Sequence, residues 1–506
     1  MKRLMLSGLI SALMLLCAAG LWATGAGEID QESIFQFGLS GNPDTLDPHT
    51  TSGTLTFQTI RSFYDTLVEP DRSGVLVPAL AESWEVSPDN LVWTFTLRDG
   101  VVFHNGERLS SDDVKATFER LLDPRTASPK ASEFAAIESI QTPDPRTVVF
   151  RLSEPAAPLL ASLASGWGAI LPASLIASGH EFASEPVGTG PFRFVEWIRD
   201  SRIVSEKNDR YWMSGHPRVD GVVINIIPES SVQVQGLIRG DLHAIDAVSQ
   251  QDLPMLEADD NVYVRQDLSA LVQVLAMNAE RPPMSDLALR QAVNLAIDKR
   301  AVMEIAYGGG EIIGTFMDVS DPYYVDFTDL YPYDPELARQ TLAGSDADLS
   351  EPLVMALPEI YEAHVRAGEM YQAMLEEIGL DVELRLVDWS TWLNDVYRGG
   401  NYDFTVIGHT GKLDPDGRLS GYGTGQSYVH WDNPEAAAAI EQGRRIVDFD
   451  RRRELYGRAL ELMAIEVPHV YVGTSYRYIG MRSNVGGLHQ DAKLDTFDFR
   501  YVEIGE

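Results

Sequence analysis

Leu91, Trp93, Phe95 and Leu97 alternate with Val92, Thr94, Thr96 and Arg98. That period of two buries one face of a strand and wets the other. Asp99-Gly100 and Asn105-Gly106 follow, dipeptides suited to turns with positive φ, so a short second strand is expected over 101–104. Ser110 then stands three residues before Asp113, and Val114, Phe118, Leu121 and Leu122 share one helical face that Asp123-Pro124 closes. A capped helix is predicted, completing a β-β-α unit.

The same reading covers the rest of the chain. It predicts a strand over 34–39, a helix carrying Leu55, Ile60, Phe63 and Leu67, a helix over 129–140 and a strand over 147–152. Strands are expected over 187–197, 203–206, 219–227, 243–247 and 271–277, the last as a first crossing between lobes, with a helix over 232–238. Beyond 280 helices and strands alternate. Leu287, Val293, Ile297, Val302 and Ile305 mark one long helix ended by Gly308-Gly309-Gly310. A helix over 365–378, a strand over 382–386, a helix through Trp392 and Val396, a strand over 404–407, helices over 434–447 and 451–465, and a returning strand over 470–473 complete it. This β-α-β-α order implies a parallel sheet with helices on its faces, and ligands of such sheets sit at loops beyond the carboxyl ends of the strands.

Composition narrows the choice of partners. The 506 residues suggest about three domains. Forty basic against seventy-five acidic residues give a net charge of -35, a field that repels phosphate backbones, so nucleic acid is not an expected partner. Lys2 and Arg3 precede an apolar run to Trp22 and then small residues up to Gly27, the layout of a signal peptide over 1–26. The only cysteine, Cys17, lies within that run behind Leu16, so lipid anchoring there is not expected. The exported chain then has neither disulfides nor thiolate metal sites, and no later apolar stretch is long enough to span a membrane.

Enzyme motifs are missing. There is no His-Glu-x-x-His and no Gly-x-Ser-x-Gly, and Gly408-His409-Thr410-Gly411-Lys412 is too short for a phosphate loop. Asp414 and Asp416 could serve a secreted glycoside or peptide hydrolase, yet a chain so rich in acids offers many such pairs. No catalytic residue, metal or cofactor is expected. Two segments favour binding. Thr50-Thr51-Ser52-Gly53-Thr54 sets four hydroxyls and a glycine before a helix, suited to a ligand's polar group or simply to a cap. The glycine-rich loop from Gly408 follows an apolar strand and offers His409, Thr410, Gly411 and Asp414. Of Trp389 and Trp392 on the preceding helix, an exposed one could stack on a ligand, with a core position the usual fate for one of the pair, and Trp389 is the candidate.

The run LAESWEVSPDNLVWTFTLRDGVVFHNGERLSSDDV over 80–114 resembles the signature of the family 5 extracytoplasmic solute-binding proteins, the dipeptide, oligopeptide and nickel binders of ABC importers. The likeness continues in Asn42-Pro43-Asp44-Thr45-Leu46-Asp47-Pro48, in Val187-Gly188-Thr189-Gly190-Pro191-Phe192, and from Leu289-Arg290-Gln291-Ala292-Val293-Asn294 to Asp298-Lys299. It implies an α/β, bilobed, hinged fold of the periplasmic-binding-protein type II with an extra small α+β domain. Lobe I is expected from 27–70, 186–272 and 470–506, the small domain from 71–185, and lobe II from 273–469. The resemblance also implies a periplasmic or other extracytoplasmic monomer. It would close on a small solute, a peptide or an oligopeptide-like one, and hand it to the permease and ATPase subunits of an importer. A similar Thr-Ser-Gly-Thr stretch lines the cleft of the dipeptide binders, which is why Thr51, Ser52 and Gly53 are candidates. Two departures accompany it. The aspartate that pairs with a peptide's α-amino group falls at Gly411, and the loop carrying an arginine for the peptide carboxylate reads Leu357-Pro358-Glu359-Ile360-Tyr361. Glu359 and Tyr361 are therefore candidates of altered character, and an oligosaccharide or a metal chelate stays an alternative ligand.

Overall fold

The structure, a computed structural model, describes residues 33–246 and 248–505. The expected signal segment and Cys17 lie outside the described residues. Among those described, an eleven-stranded sheet runs through both lobes. From one edge its order is Val382–Val387, Leu353–Pro358, Phe404–His409, Val262–Met277, His469–Arg482, Ala244–Ile245, Ile34–Leu39, Gly221–Ile226, Arg202–Lys207 and Phe192–Ile198, with Gly310–Ile312 beside His469–Arg482. The expected parallel pairings of lobe II are present, Leu353–Pro358 lying parallel to both Val382–Val387 and Phe404–His409.

Two strands join the lobes, and both are longer than their apolar patterns predict. Val262–Met277 and His469–Arg482 run antiparallel, and their register shifts between Leu268 and Val272 and again between Gln273 and Val274. On one side of the shift Val262 to Leu268 pair with Tyr476 to Arg482 in lobe I. On the other, Val272 to Met277 pair with Phe404–His409 in lobe II. A bulge loosens the ladder and bends the strand, so the weakest part of the paired ribbon lies at the crossing.

Separate cores support separate bodies. Phe35, Phe37, Phe63, Phe192 and Phe497 belong to the lobe I core, and two clusters flank the lobe II sheet, one with Phe316, Trp392 and Tyr471, the other with Met277, Leu357 and Tyr371. The small domain packs Trp93, Phe95, Phe118 and Phe150 between the four-stranded sheet and its helix. Ala169, Leu171 and Phe182 pack with Phe35 instead, so chain before 186 already contributes to the lobe I core.

Within that domain, Val92–Leu97 and the helix Ser111–Leu122 are as expected. The Asp113 carboxylate accepts from the Ser110 backbone N–H and hydroxyl at 2.8 Å each, and from the Ala173 N–H at 2.8 Å. One side chain therefore ends a helix and ties down a distant loop. Asp113→Ala is expected to lower stability by about 1–2 kcal/mol, a cap plus an orphaned donor, measured as a lower thermal midpoint with unchanged far-ultraviolet dichroism.

Five expected elements differ, and one is the helix meant to carry Leu55, Ile60, Phe63 and Leu67, which stops at Ile60. Residues 101–104 form only a bridge between Val102 and Arg108, because the two turns leave too few residues for a ladder. The helix over 129–140 is a single turn, Ala131–Phe134, followed by the strand Ile137–Asp144, whose β-partner Thr147–Leu152 outweighs local propensity. The long helix after 287 is two, Leu287–Ala296 and Lys299–Ala306, because Asp298 caps the second through the Ala301 N–H at 2.9 Å. Trp392–Arg398 winds as a π-helical segment.

Candidate ligand-binding crevice

A crevice of about 1070 Å³ lies between the lobes, just above the range of about 300–1000 Å³ usual for small-molecule sites. The bulged part of the ribbon lines it with Ser269, Ala270, Leu271, Ser475 and Tyr476. Lobe I adds the start of the helix Thr54–Ile60, the small domain adds Lys130 to Ala136 and Pro158 to Trp167, and lobe II adds the loop after Phe404–His409. Phe57 and Trp167 meet edge to face at 4.6 Å on the wall, with the Lys130 ammonium 5.2 Å from the Trp167 ring.

Contacts across the opening hold the lobes together. The Ala157 N–H donates to the Arg444 carbonyl at 2.8 Å. Lys493, on a hairpin packed against lobe I, donates to Asp321 of lobe II at 2.8 Å, with side chains 7% and 5% exposed. Gly411 lets the lobe II loop approach this hairpin, since a Cβ there would meet the Lys493 Cα at 2.8 Å and the Ala270 Cβ at 2.6 Å.

Of the hydroxyl segment, Ser52 lines the crevice. Thr51 is buried and donates to Asp44 at 2.8 Å, while its Oγ1 accepts the Gly53 N–H at 2.8 Å. Burial would raise the Asp44 carboxyl, but hydrogen bonds from the Thr56 and Thr51 hydroxyls and from the backbone at Asp44 and Thr45 together hold it below the usual range. Thr51 and Gly53 thus shape the support beneath Ser52 and do not line the crevice.

The glycine-rich loop divides in the same way. Thr410, Gly411 and Asp414 line the crevice. Asp414 is also held from behind, by Arg452 at 2.8 Å through both nitrogens. His409 turns into the lobe II core, contrary to expectation. Its Nε2 lies 2.9 Å from the Tyr428 hydroxyl, which lies 2.9 Å from His469. Desolvation pushes the imidazole down to about 3, so this half-buried group is neutral at physiological pH.

Glu359, Tyr361 and Trp389 gather beyond the carboxyl ends of Leu353–Pro358 and Val382–Val387, away from the crevice lining. Trp389 stacks on Trp392 at 5.0 Å and 3°, and meets Tyr361 edge on at 5.5 Å. The stacking partner of Trp389 is a core tryptophan, which explains the difference from the expectation.

Lys412, Lys493, Trp167 and the ribbon residues line the crevice without having been singled out in the sequence. Only Lys412 carried a signal, its place inside the glycine-rich loop. No group of three or more His, Cys, Asp or Glu side chains among the described residues is arranged to hold a metal ion, and no helix among them is long and apolar enough to cross a membrane.

Residues 75–428 match the model of the bacterial extracellular solute-binding proteins, family 5. The chain is 29% identical over 503 residues to di/tripeptide-binding protein 2 of Pseudomonas aeruginosa, spanning 91% of this chain and 93% of that one. It is similar to the DppA protein of Helicobacter pylori in complex with the peptide STSA, at 25% identity and a TM-score of 0.74 over 94% of this chain and 98% of that one. It is also similar to the binding protein AgaA of A. tumefaciens in complex with agropinic acid, at 28% identity and a TM-score of 0.75 over 94% and 99%.

Proposed function

The chain belongs to the bacterial extracellular solute-binding proteins of family 5, and from that premise we propose that it captures a short peptide outside the cytoplasmic membrane for an ABC importer. The carrying observation is the crevice of about 1070 Å³ set between two lobes that only a bulged two-stranded ribbon joins at the crossing. The peptide-binding relatives over nine-tenths of the chain support the solute class. The ligand enters with the lobes apart, they rotate about the ribbon near Ser269 and Ser475, and the closed form is what a permease driven by an ATPase receives. Closure follows from differential affinity, because a ligand that held both arrangements equally would shift neither. Ser52, Thr410, Gly411 and Asp414 contribute polar groups to the ligand, Phe57 and Trp167 an apolar wall, and Thr51 and Gly53 position Ser52. Trp389 and His409 act through the aromatic packing of lobe II, while Glu359 and Tyr361 stay exposed beside Trp389 and outside the crevice.

Calorimetric titration with di- and tripeptides is expected to give one site per chain and peptides recovered intact, with a smaller radius of gyration in X-ray scattering on saturation. Hydrolysed peptide, or saturation with no change in scattering, would overturn the proposal.

A further inference from the structure

Eleven charged side chains line the crevice, six acids and five bases. Each acid is already engaged by a base of the protein. Glu133 meets Lys130 at 2.6 Å, Glu154 meets Arg445 at 3.6 Å at the exposed rim, Asp267 meets Arg265 at 2.6 Å, Asp414 meets Arg452 at 2.8 Å, Asp416 meets Arg444 at 3.0 Å, and Asp495 meets Arg477. Among the five bases, Lys130, Arg444, Arg477 and Lys493 are paired in the same way. Lys412 is in no ion pair within 4 Å among the described residues. Glu133 acts on it from longer range, but Glu133 is held by Lys130. Arg418, buried behind the loop, is offset by Asp318 and Asp321.

The position of Lys412 is built into the loop. Its stem lies over Gly417, where a Cβ would meet the Lys412 Cβ, Cγ and Cδ at 3.3–3.4 Å. Burial first, and the charges of Lys130 and Arg418 with it, lower the affinity of this amine for its proton, a strain that an anion beside it relieves. In a chain of net charge -35, the crevice therefore has an unmatched positive charge.

Resting on the solute-capture reading above, we propose that the preferred solute is a peptide of net negative charge, with a carboxylate seated on Lys412 and an amino end that carries no charge or is outweighed by further acids. A carboxylate there gains the unpaired cation of the crevice. A ligand ammonium finds the acids inside the crevice taken, and Glu154, whose partner Arg445 lies closer to Glu441, offers only a solvated rim contact. It must otherwise break an internal pair or enter unpaired, and unpaired charge in a desolvated site is strongly disfavoured.

Three probes on one dipeptide backbone separate the charges: N-acetyl-Ala-Ala as the anion, Ala-Ala as the zwitterion and Ala-Ala amide as the cation. Calorimetry at pH 7 on the full protein is expected to rank them in that order, with the anion at least tenfold tighter than the cation. Lys412→Met, with an unchanged thermal midpoint, is expected to weaken the anion at least tenfold and to bring anion and cation within about threefold of each other. Cation or zwitterion binding as tightly as the anion, or Lys412→Met leaving the anion's affinity intact, overturns the charge preference while peptide capture stands. Failure of all three probes and of longer peptides to bind removes the solute-capture reading and this inference with it.

Discussion

Arg452→Met is expected to destabilise the protein by about 3–5 kcal/mol, the usual consequence of removing one member of a buried ion pair. Arg452 and Asp414 have side chains only 7% and 10% exposed, and two guanidinium nitrogens reach the two carboxylate oxygens at 2.8 Å each. The same guanidinium donates to the Gly443 carbonyl at 2.9 Å and to the Tyr323 hydroxyl at 3.1 Å. Burial alone would make Arg452 easier to deprotonate, but Asp414 outweighs it and raises the group further. Methionine fills much the same volume, so the loss comes from charge left behind on Asp414 and not from a cavity. Urea denaturation followed by tryptophan fluorescence should show the lower midpoint. Asp414→Asn added to Arg452→Met should recover part of it, because the stranded charge is then gone. A single variant within about 1 kcal/mol of the parent would mean that water reaches this pair and that the loop carrying Thr410 and Gly411 is anchored elsewhere.

Local chemistry was readable wherever a few adjacent residues settle the outcome. The alternation from Leu91 to Leu97 becomes Val92–Leu97, and Ser110 with Asp113 forms the expected cap. The lobe II order of strands and helices, with its parallel pairing, follows from the same kind of pattern. Reading failed where the deciding partner is distant in sequence. The ribbon strands reach to Val262 and Arg482, although Arg265, Asp267 and Ser269 interrupt any apolar pattern, because each strand is completed by the other some two hundred residues away. The helix after Leu287 breaks at Asp298 on the strength of one carboxylate that also reads as an ordinary exposed position.

The crevice shows the same division. A glycine-rich loop after an apolar strand marks where polar groups collect, and Thr410, Gly411 and Asp414 are there. Sequence gives the charge of Asp414 and Lys412 alike, and only folding distinguishes the acid held by Arg452 from the base with no ion pair. His409 offered the same residue type to crevice or core, and the aromatic packing of Phe316 and Tyr428 took it inward.

Lys493→Met should weaken ligand binding by roughly a hundredfold or more while changing the stability of either lobe little. Lys493 and Asp321 come from opposite lobes, and their side chains are 7% and 5% exposed where the lobes meet. In an open arrangement each can return to water, so removing Lys493 penalises the closed form alone. At about 3–5 kcal/mol for a stranded buried charge and about 1.4 kcal/mol per tenfold in affinity, the penalty passes into the dissociation constant, because the ligand must supply the energy of closure. Calorimetry would read the affinity, and scattering would show the variant requiring more peptide to reach the compact form. The pH dependence has a definite sign. Burial raises the Asp321 carboxyl in the closed form, and Lys493 is what opposes it. Without the lysine, closure takes up a proton, so the variant's affinity should rise as pH falls through the raised value, and the gain is complete below the ordinary carboxylate range. Asp321→Asn in the same background should restore most of the binding at neutral pH. A single variant within threefold of the parent, or equal losses in the single and the double, would show that this ion pair does not control closure.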